Sequence, residues 1–232
     1  MVAAAVHASP LERRPLICLV TDRRRLSPSA PPLRQIDDLV AFVAAGAAAG
    51  IDLIQIRERD LSGRTLMGVV TRCVRAMARA SGRLVVNDRL DVALAAGAAG
   101  VHLRADFCAA GRIRPLVPVH FLIGQSMHAA DALTDGSLLD YAVFGAILPT
   151  ASKPVGHRSA GVDALANAVR SADVPVLAIG GLTVDRLPAV WRAGAEGIAG
   201  IGMFIDAARS RGDWAEGLRE LVIRVRGSFD TA

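Results

Sequence analysis

The sequence predicts an α/β protein built as a single (β/α)8 barrel, also called a TIM barrel. Short apolar runs alternate with helix-like segments eight times along the 232 residues, and strands joined by helices in one sheet are normally parallel. Several runs are apolar without interruption, as in strands buried on both faces. A doubly wound open sheet is the alternative, but no Gly-x-Gly-x-x-Gly follows the first strand. Eight units in this length therefore favour the closed barrel.

The first unit has the pattern that repeats along the chain. Leu16 to Val20 form an apolar run ended by Thr21 and Asp22, and after a Pro-rich loop residues 33–49 have the spacing of a helix. Gly50 is a plausible end for that helix, and later Ala-Gly pairs indicate similar turns into the next strand. The other predicted strands are 53–56, 84–86, 101–103, 120–123, 141–144, 174–179 and 197–201. The other predicted helices are 66–80, 92–96, a short one near 112, 129–134, 162–170, 186–192 and 214–225.

The composition is typical of a soluble globular protein, with 52% hydrophobic and 21% charged residues. No apolar run reaches the roughly 18 residues of a membrane-spanning helix, and the Ala-rich start lacks the basic segment of a secretory signal. We therefore expect a cytoplasmic protein without a membrane partner. Residues 1–15 are predicted to be a flexible, disordered N-terminal tail, and residues 16–232 the barrel domain. Three cysteines in apolar segments, Cys18, Cys73 and Cys108, indicate reduced buried thiols.

The charge balance limits the kind of ligand. A formal charge of +5 and a pI near 10.0 favour anionic ligands, but one Tyr and two Trp are too few to stack nucleic-acid bases. Phosphorylated small molecules are therefore the expected partners, and nucleic acid is not. The densest basic cluster, Arg23 to Arg25, follows the first strand, where a run of charges is more often a solvated loop than a site.

Polar residues gather where the predicted strands end, which is where barrels of this kind carry their active sites. Gln55, Arg57 and Arg59 come at the end of strand two at a spacing of two, so all three face one side of an extended chain. Two guanidiniums on one side could bind a pyrophosphate. The alternative is an ion-pair network with Glu58 or Asp60.

The end of strand three carries Asn87 and Asp88. Their oxygens could hold Mg2+, with waters and phosphate completing the shell. Asp88 could equally be the N-cap of the next helix, and the pattern leaves both alternatives open. Strands four and five end in further polar residues, namely His102, Asp106, Ser126 and His128. A lone histidine such as His102 more often makes a packing hydrogen bond than a ligand contact.

The loop after strand six carries Lys153, the only lysine among the 27 basic residues. An ammonium flanked by Thr150 and Ser152 suits a phosphate oxygen, although a solvated loop charge is the simpler alternative. The last two strands end in glycine, at 180–181 and 200–202. Their backbone N–H groups could cradle a second phosphate beside a short helix at 204–208, or the glycines could serve tight turns. Two phosphorylated substrates would account for both anion sites.

Several short sequence motifs occur along the chain in a fixed order. They are Leu-Val-Thr-Asp in strand one, Gln-Ile-Arg-Glu-Arg-Asp-Leu-Ser-Gly from Gln55, Val-Asn-Asp-Arg-Leu-Asp-Val-Ala from Val86, Gly-Val-His-Leu from Gly100, Pro-Thr-Ala-Ser-Lys from Pro149 and Ala-Ile-Gly-Gly from Ala178. Over about residues 16–208 the sequence thereby resembles the thiamin-phosphate synthase/TenI family, whose members are (β/α)8 barrels.

The resemblance implies the synthase reaction. Pyrimidine alcohol diphosphate would lose Mg2+-bound pyrophosphate, and the ring nitrogen of thiazole phosphate would attack the methylene carbon to give thiamine monophosphate. By the same resemblance, the groups at the diphosphate are the catalytic Arg57, Arg59 and Lys153 together with Gln55 and Asn87. The groups at the thiazole phosphate are Thr150, Ser152, Gly181, Ile201 and Gly202. Ser126 would contact the pyrimidine, and Asp88 would bind Mg2+.

The sequence departs from the family pattern at a few positions. Arg59 stands where synthases usually have Lys, and Gly202 where they usually have Ser. The phrase that normally ends in a second Mg2+ ligand is Arg-Ala-Asp-Phe here, so Asp106, the second metal candidate, lies one residue early. These departures lean toward the TenI branch, a thiazole tautomerase, yet Ala146 replaces its histidine. The synthase remains the first hypothesis and the tautomerase the second, because Asn87, Asp88 and Lys153, which the diphosphate chemistry would use, are present. A barrel that binds thiamine precursors without turnover is a third hypothesis, and the protein could be a homo-oligomer.

Overall fold

The computed structural model describes residues 11, 13–128, 136–150 and 159–232. Eight parallel strands form a closed barrel in chain order, which confirms the predicted fold class. The strands are β1 Leu16–Val20, β2 Leu53–Ile56, β3 Arg83–Asn87, β4 Gly100–Leu103, β5 Leu122–Met127, β6 Tyr141–Gly145, β7 Val176–Ile179 and β8 Gly197–Gly200. Strand β5 was predicted too early, because its ladder continues past the apolar run: Ser126 pairs with Val143 and Met127 with Phe144.

Nine α-helices lie on the outside of the barrel in the described ranges. They are α1 Arg23–Leu26, α2 Pro32–Ala48, α3 Gly63–Ala76, α4 Leu90–Ala95, α5 Ala110–Ile113, α6 Gly161–Ser171, α7 Leu187–Arg192, α8 Gly202–Arg209 and α9 Trp214–Asp230. The predicted helix at 129–134 lies outside the described residues. Among those residues, no helix has both the length and the apolar character needed to cross a membrane.

Helix α1 stands where the sequence predicted only a loop. The carboxylate of Asp22 accepts a hydrogen bond from the backbone N–H of Arg25 at 3.0 Å and so caps this single turn. Successive side chains on a helix are about 100° apart. The three consecutive arginines therefore do not form one solvated patch: Arg23 and Arg24 both reach Asp60, whereas Arg25 lies against Gly202.

Alternation along the strands produces two apolar layers. Leu16, Cys18 and Val20 of β1 face the barrel interior, whereas Ile17 and Leu19 pack against the surrounding helices. Both layers are almost completely buried. The barrel is thus filled with side chains below its carboxyl end, and that end is left open for a ligand.

The residues just before β1 also pack on the barrel. Leu11 is buried in the interior layer, and Arg14 pairs with Glu196 at 2.7 Å, directly before β8. These contacts lie at the amino end of the strands, away from the open end. The rest of the predicted tail, residues 1–10 and 12, lies outside the described residues.

The three cysteines are free thiols. Burial raises the pKa of Cys18 and of Cys73 to about 12, so neither forms a thiolate near neutral pH. Cys108 is only half-buried, because it lies in the loop before α5 instead of an apolar strand. No group of three or more metal-binding His, Cys, Asp or Glu residues occurs in the described part of the chain.

Candidate functional site

The carboxyl ends of the strands surround a cavity of about 490 Å3, which we call the larger cavity. Its volume is in the usual range of roughly 300–1,000 Å3 for small-molecule sites. The predicted site residues that line it are Gln55, Arg57, Arg59, Asn87, Asp106, Ser126, Thr150 and Ile201. Residues far apart in sequence therefore meet at one end of the barrel.

A smaller cavity of about 230 Å3 lies beside the larger one. The predicted site residues that line it are Thr150, Gly181, Ile201 and Gly202. The two cavities share the lining residues Thr150, Ile179, Gly180 and Ile201. Ligands bound in both would therefore be direct neighbours.

Among the described residues, Asp88 is the one predicted site residue that lines neither cavity. Ser152 and Lys153 lie outside the described residues. Asp88 is not a lining residue, but it accepts hydrogen bonds from Arg104, which does line the larger cavity. Asp88 therefore lies directly behind a residue that lines the larger cavity.

The two arginines after β2 are not neutralised by their acidic neighbours. The carboxylates of Glu58 and Asp60 instead pair with Arg23, at 2.9 and 2.7 Å. No acidic group of the described residues forms an ion pair with Arg57 or Arg59. The ion-pair alternative for these two side chains is therefore wrong, and the larger cavity contains two guanidiniums that suit an anion.

The surroundings of Arg57 disfavour the charged form of its guanidinium. Burial lowers its pKa, and the like charge of Arg59 lowers it further. Its backbone is fixed by a hydrogen bond from its N–H to the Thr21 hydroxyl at 3.0 Å. That hydroxyl in turn donates to Glu58 at 2.8 Å. The ends of β1 and β2 thus hold Arg57 toward the cavity.

A chain of amides connects β2 to β3. The side chain of Gln55 donates to Asn87 at 2.9 Å, and Asn87 donates to the Asp88 carboxylate at 2.9 Å. Gln55 is buried, so its amide has a fixed orientation. This chain orients the oxygen atoms at the end of β3.

Asp88 has the unusual backbone φ of +58°, a left-handed conformation that Asp tolerates better than most residues. It does not cap α4, whose N-cap is Arg89, without a side-chain capping bond. The N-cap alternative is therefore wrong.

The Asp88 carboxylate instead contacts Arg104. It accepts a hydrogen bond from the Arg104 backbone N–H at 3.0 Å and lies 3.2 Å from Arg104 Nε. The Asp106 carboxylate lies 3.6 Å from the same Nε.

His102 holds Ser126 in place, in agreement with the predicted packing role. Its ring nitrogens lie 2.9 Å from the Ser126 hydroxyl and 3.2 Å from the Tyr141 hydroxyl. Burial lowers the pKa of His102 to about 3, with a smaller contribution from Arg57. The imidazole is therefore neutral near pH 7.

The depressed pKa of His102 predicts a pH-dependent stability. Between about pH 6.5 and pH 3 the unfolded chain binds a proton at this residue and the folded chain does not, so stability is lost as the pH falls. We expect the free energy of unfolding to drop by about 2 kcal/mol between pH 6.5 and pH 5 because of His102. Urea titrations of the parent and of His102→Asn at both pH values measure this loss, which the variant should lack. His120→Asn, at an exposed position, should leave the loss unchanged, and an equal loss in His102→Asn would contradict the prediction.

Two arginines that the sequence did not assign to the site face these cavities. Arg104 lines the larger cavity and Arg25 the smaller. The three-arginine run was visible in the sequence, but the turn of α1 that directs Arg25 away from Arg23 and Arg24 was not. Arg104 was visible only as a departure from a family phrase.

The comparisons with known proteins agree with this arrangement. A family model described as thiamine monophosphate synthase matches residues 18–204. The chain belongs to this family. A thiamine-phosphate synthase of Methanoculleus marisnigri is 37% identical over 81% of this chain and 87% of that protein. One from Mycobacterium leprae is 35% identical over 86% and 92%. Among solved structures, thiamine phosphate pyrophosphorylase from Pyrococcus furiosus has a TM-score of 0.73 and 27% identity, with 93% of this chain and 98% of that chain covered.

The match to the thiamine monophosphate synthase family runs from within β1 to the start of α8. It includes every lining residue of the larger cavity and all of those of the smaller cavity except Asp206. The family resemblance noted in the sequence is thus confirmed.

Proposed function

We propose that the protein is a thiamine phosphate synthase that joins pyrimidine alcohol diphosphate to thiazole phosphate. The observation that supports this most is the pair of adjoining cavities, one with two unneutralised arginines and one with glycine backbone. A reaction between two phosphorylated substrates needs two anion sites side by side. A tautomerase with one substrate needs only one.

Arg57 and Arg59 bind the diphosphate in the larger cavity, and Gln55 and Asn87 complete its hydrogen bonds. The bond between the methylene carbon and the diphosphate oxygen breaks, and its electron pair leaves with pyrophosphate. Negative charge therefore grows on the leaving group, where the guanidiniums are already oriented toward it. Lys153, which follows β6 in the sequence, adds a third cation.

The smaller cavity orients the second substrate. The thiazole phosphate binds near Gly181, Ile201 and Gly202, with Thr150 and Ser152 supplying hydroxyls. The thiazole nitrogen then forms the new bond to the methylene carbon and becomes positively charged, which yields thiamine monophosphate. Ser126, held by neutral His102, contacts the pyrimidine. No protein base is needed, because no proton is removed in this step.

The residues present fit a Mg2+ ion. The carboxylates of Asp88 and Asp106 converge on one cationic atom, Arg104 Nε, and carboxylates together with phosphate oxygens are the ligands Mg2+ prefers. We propose that Asp88 and Asp106 hold Mg2+ here, where it would neutralise charge on the diphosphate. Arg104 would have to leave the two carboxylates for the ion to bind.

The metal proposal has a test that does not depend on turnover. Calorimetric titration of Mg2+ in the presence of pyrophosphate should show weaker binding by Asp88→Asn than by the parent protein. Asp91→Asn is the matched control, since Asp91 is nearby in sequence but pairs with Arg89 at 2.6 Å. Equal Mg2+ affinity of the parent and Asp88→Asn would reject the site.

The function itself is tested with the purified full chain, both substrates and Mg2+. Thiamine monophosphate is measured by its oxidation to fluorescent thiochrome, and product should form and should disappear when Mg2+ is chelated. Lys153→Ala should lose most of the rate and keep the fold. If both substrates bind and no product forms, the synthase proposal fails in favour of tautomerisation or binding alone.

A further inference from the structure

We propose that Arg25 is a phosphate-binding residue of the smaller cavity and that Gly202 is the residue that makes room for it. The inference rests on the proposed function, because it assigns the phosphate monoester of the second substrate to this cavity. It adds a side-chain cation to a site that sequence analysis built only from backbone and hydroxyl groups. The ligand class is a phosphate monoester, bound through a guanidinium.

The guanidinium of Arg25 lies close to Gly202. A Cβ atom built on Gly202 would lie 2.5 Å from Arg25 Nη2, 3.0 Å from its Cζ and 3.1 Å from its Nη1. The guanidinium therefore lies directly over the first residue of α8, in space that any other side chain at position 202 would fill. The backbone of Gly202 has no positive φ, so position 202 could accept a larger residue only if the flexible end of the Arg25 side chain moved away.

Arg25 differs in its charge environment from the other two arginines of the run. Its two neighbours in the run are paired with acids, Arg23 with Glu58 and Asp60, and Arg24 with Asp60. Arg25 is half-buried, and its side chain makes no ion pair or hydrogen bond with the described residues. Asp206 also lines the smaller cavity but does not pair with it. A half-buried cation without an acid suits an anionic ligand.

The backbone of Arg25 is held in place by hydrogen bonds. Asp22 caps α1 at the Arg25 N–H, and Arg209 at the end of α8 donates to the carbonyls of Arg25 and Leu26 at 2.9 and 2.6 Å. Helices α1 and α8 are thus tied together on either side of the cavity. The Arg25 side chain therefore extends from a backbone that α1 and α8 hold in place. This reduces the conformational entropy lost when a phosphate binds.

The experiment compares two ligands, thiazole phosphate and the thiazole alcohol that lacks the phosphate, by calorimetry. Arg25→Gln should weaken binding of the phosphate on the order of 10- to 100-fold, the usual effect of losing hydrogen bonds to a charged group, and leave binding of the alcohol unchanged. Arg25→Lys should recover part of the loss. Arg24→Gln is the matched control, since Arg24 is a neighbouring arginine with a side chain 67% exposed, and should bind both ligands like the parent.

Gly202→Ala tests the second half of the proposal. Its methyl group would displace the guanidinium, so it should weaken phosphate binding, and the double variant with Arg25→Gln should bind no worse than Arg25→Gln alone. Fully additive losses, an equal loss for phosphate and alcohol, or a loss in Arg24→Gln as large as in Arg25→Gln would each overturn the proposal.

The outcome is separate from that of the proposed function. In steady state, Arg25→Gln should raise the KM for thiazole phosphate and leave the KM for pyrimidine alcohol diphosphate unchanged. If the parent makes no thiamine monophosphate but binds thiazole phosphate in an Arg25-dependent way, the synthase proposal fails and the assignment of Arg25 stands. If the parent binds thiazole phosphate and Arg25→Gln binds it equally well, the assignment fails whatever the activity.

Discussion

Replacing Arg57 with glutamine is expected to lower kcat/KM for thiamine monophosphate formation by roughly 10²- to 10³-fold, the usual effect of removing an oriented charge-stabilising donor. Arg57 lines the larger cavity with no acidic partner among the described residues, and the departing pyrophosphate needs its charge. The same change should not destabilise the protein. Burial and the like charge of Arg59 lower the pKa of Arg57, so its charge costs folding free energy.

The combination of lost activity and retained stability separates a ligand-binding arginine from a structural one. Urea unfolding measures the stability, and steady-state kinetics with both substrates varied measure the activity. Arg57→Lys keeps the charge without the planar fork and should recover only part of the rate. A variant Arg57→Gln that loses several kcal/mol of stability, or that keeps more than about a third of the parent rate, contradicts the assignment.

The fold was predictable from sequence because its signal is repeated. Each strand is an apolar run, and in each helix the apolar residues recur at helical spacing. An error in one strand–helix unit therefore does not change the predicted fold class. Boundaries were less certain where polar residues continue a strand. Strand β5 extends through Gln125 and Ser126, and a polar pair at the end of an apolar run gives no sign that the ladder continues.

The site was only partly predictable, for a different reason. Residues on one strand end, such as Gln55, Arg57 and Arg59, could be placed on one side by spacing alone. The partner of Glu58 could not be found this way, because Arg23 lies 35 residues away in the chain and reaches it only when β1 and β2 pair. Arg25 was missed for a similar reason, since nothing in the sequence places it over Gly202.

The pairing of Arg23 with Glu58 leads to the largest expected effect on stability. Both side chains are almost fully buried, at 6% and 3% exposure. Arg23 has two carboxylates, from Asp60 and Glu58, which raise its pKa. Glu58 has one cation, and burial raises its pKa although Thr21 and Arg23 oppose the change. Glu58→Ala would leave Arg23 buried with only the more exposed Asp60, which should cost about 3–5 kcal/mol of unfolding free energy.

The control and the double variant test the mechanism. Arg24→Ala removes an exposed arginine that pairs with the same Asp60 and should change stability by less than about 1 kcal/mol. Replacing both members, with Arg23→Leu and Glu58→Leu, should recover most of the loss, because a buried pair is roughly equivalent to apolar residues of similar volume. If the double variant recovers less than half of the unfolding free energy that Glu58→Ala loses, this explanation is wrong.

Activity should not recover with stability in the double variant. The Thr21 hydroxyl accepts from the Arg57 backbone and donates to Glu58, so loss of Glu58 frees Thr21 to rotate and loosens the segment that directs Arg57 into the larger cavity. We therefore expect the stable double variant to turn over more slowly than the parent, with the greater part of the change in kcat. Full activity in that variant would mean that the ion pair only stabilises the barrel and does not position Arg57.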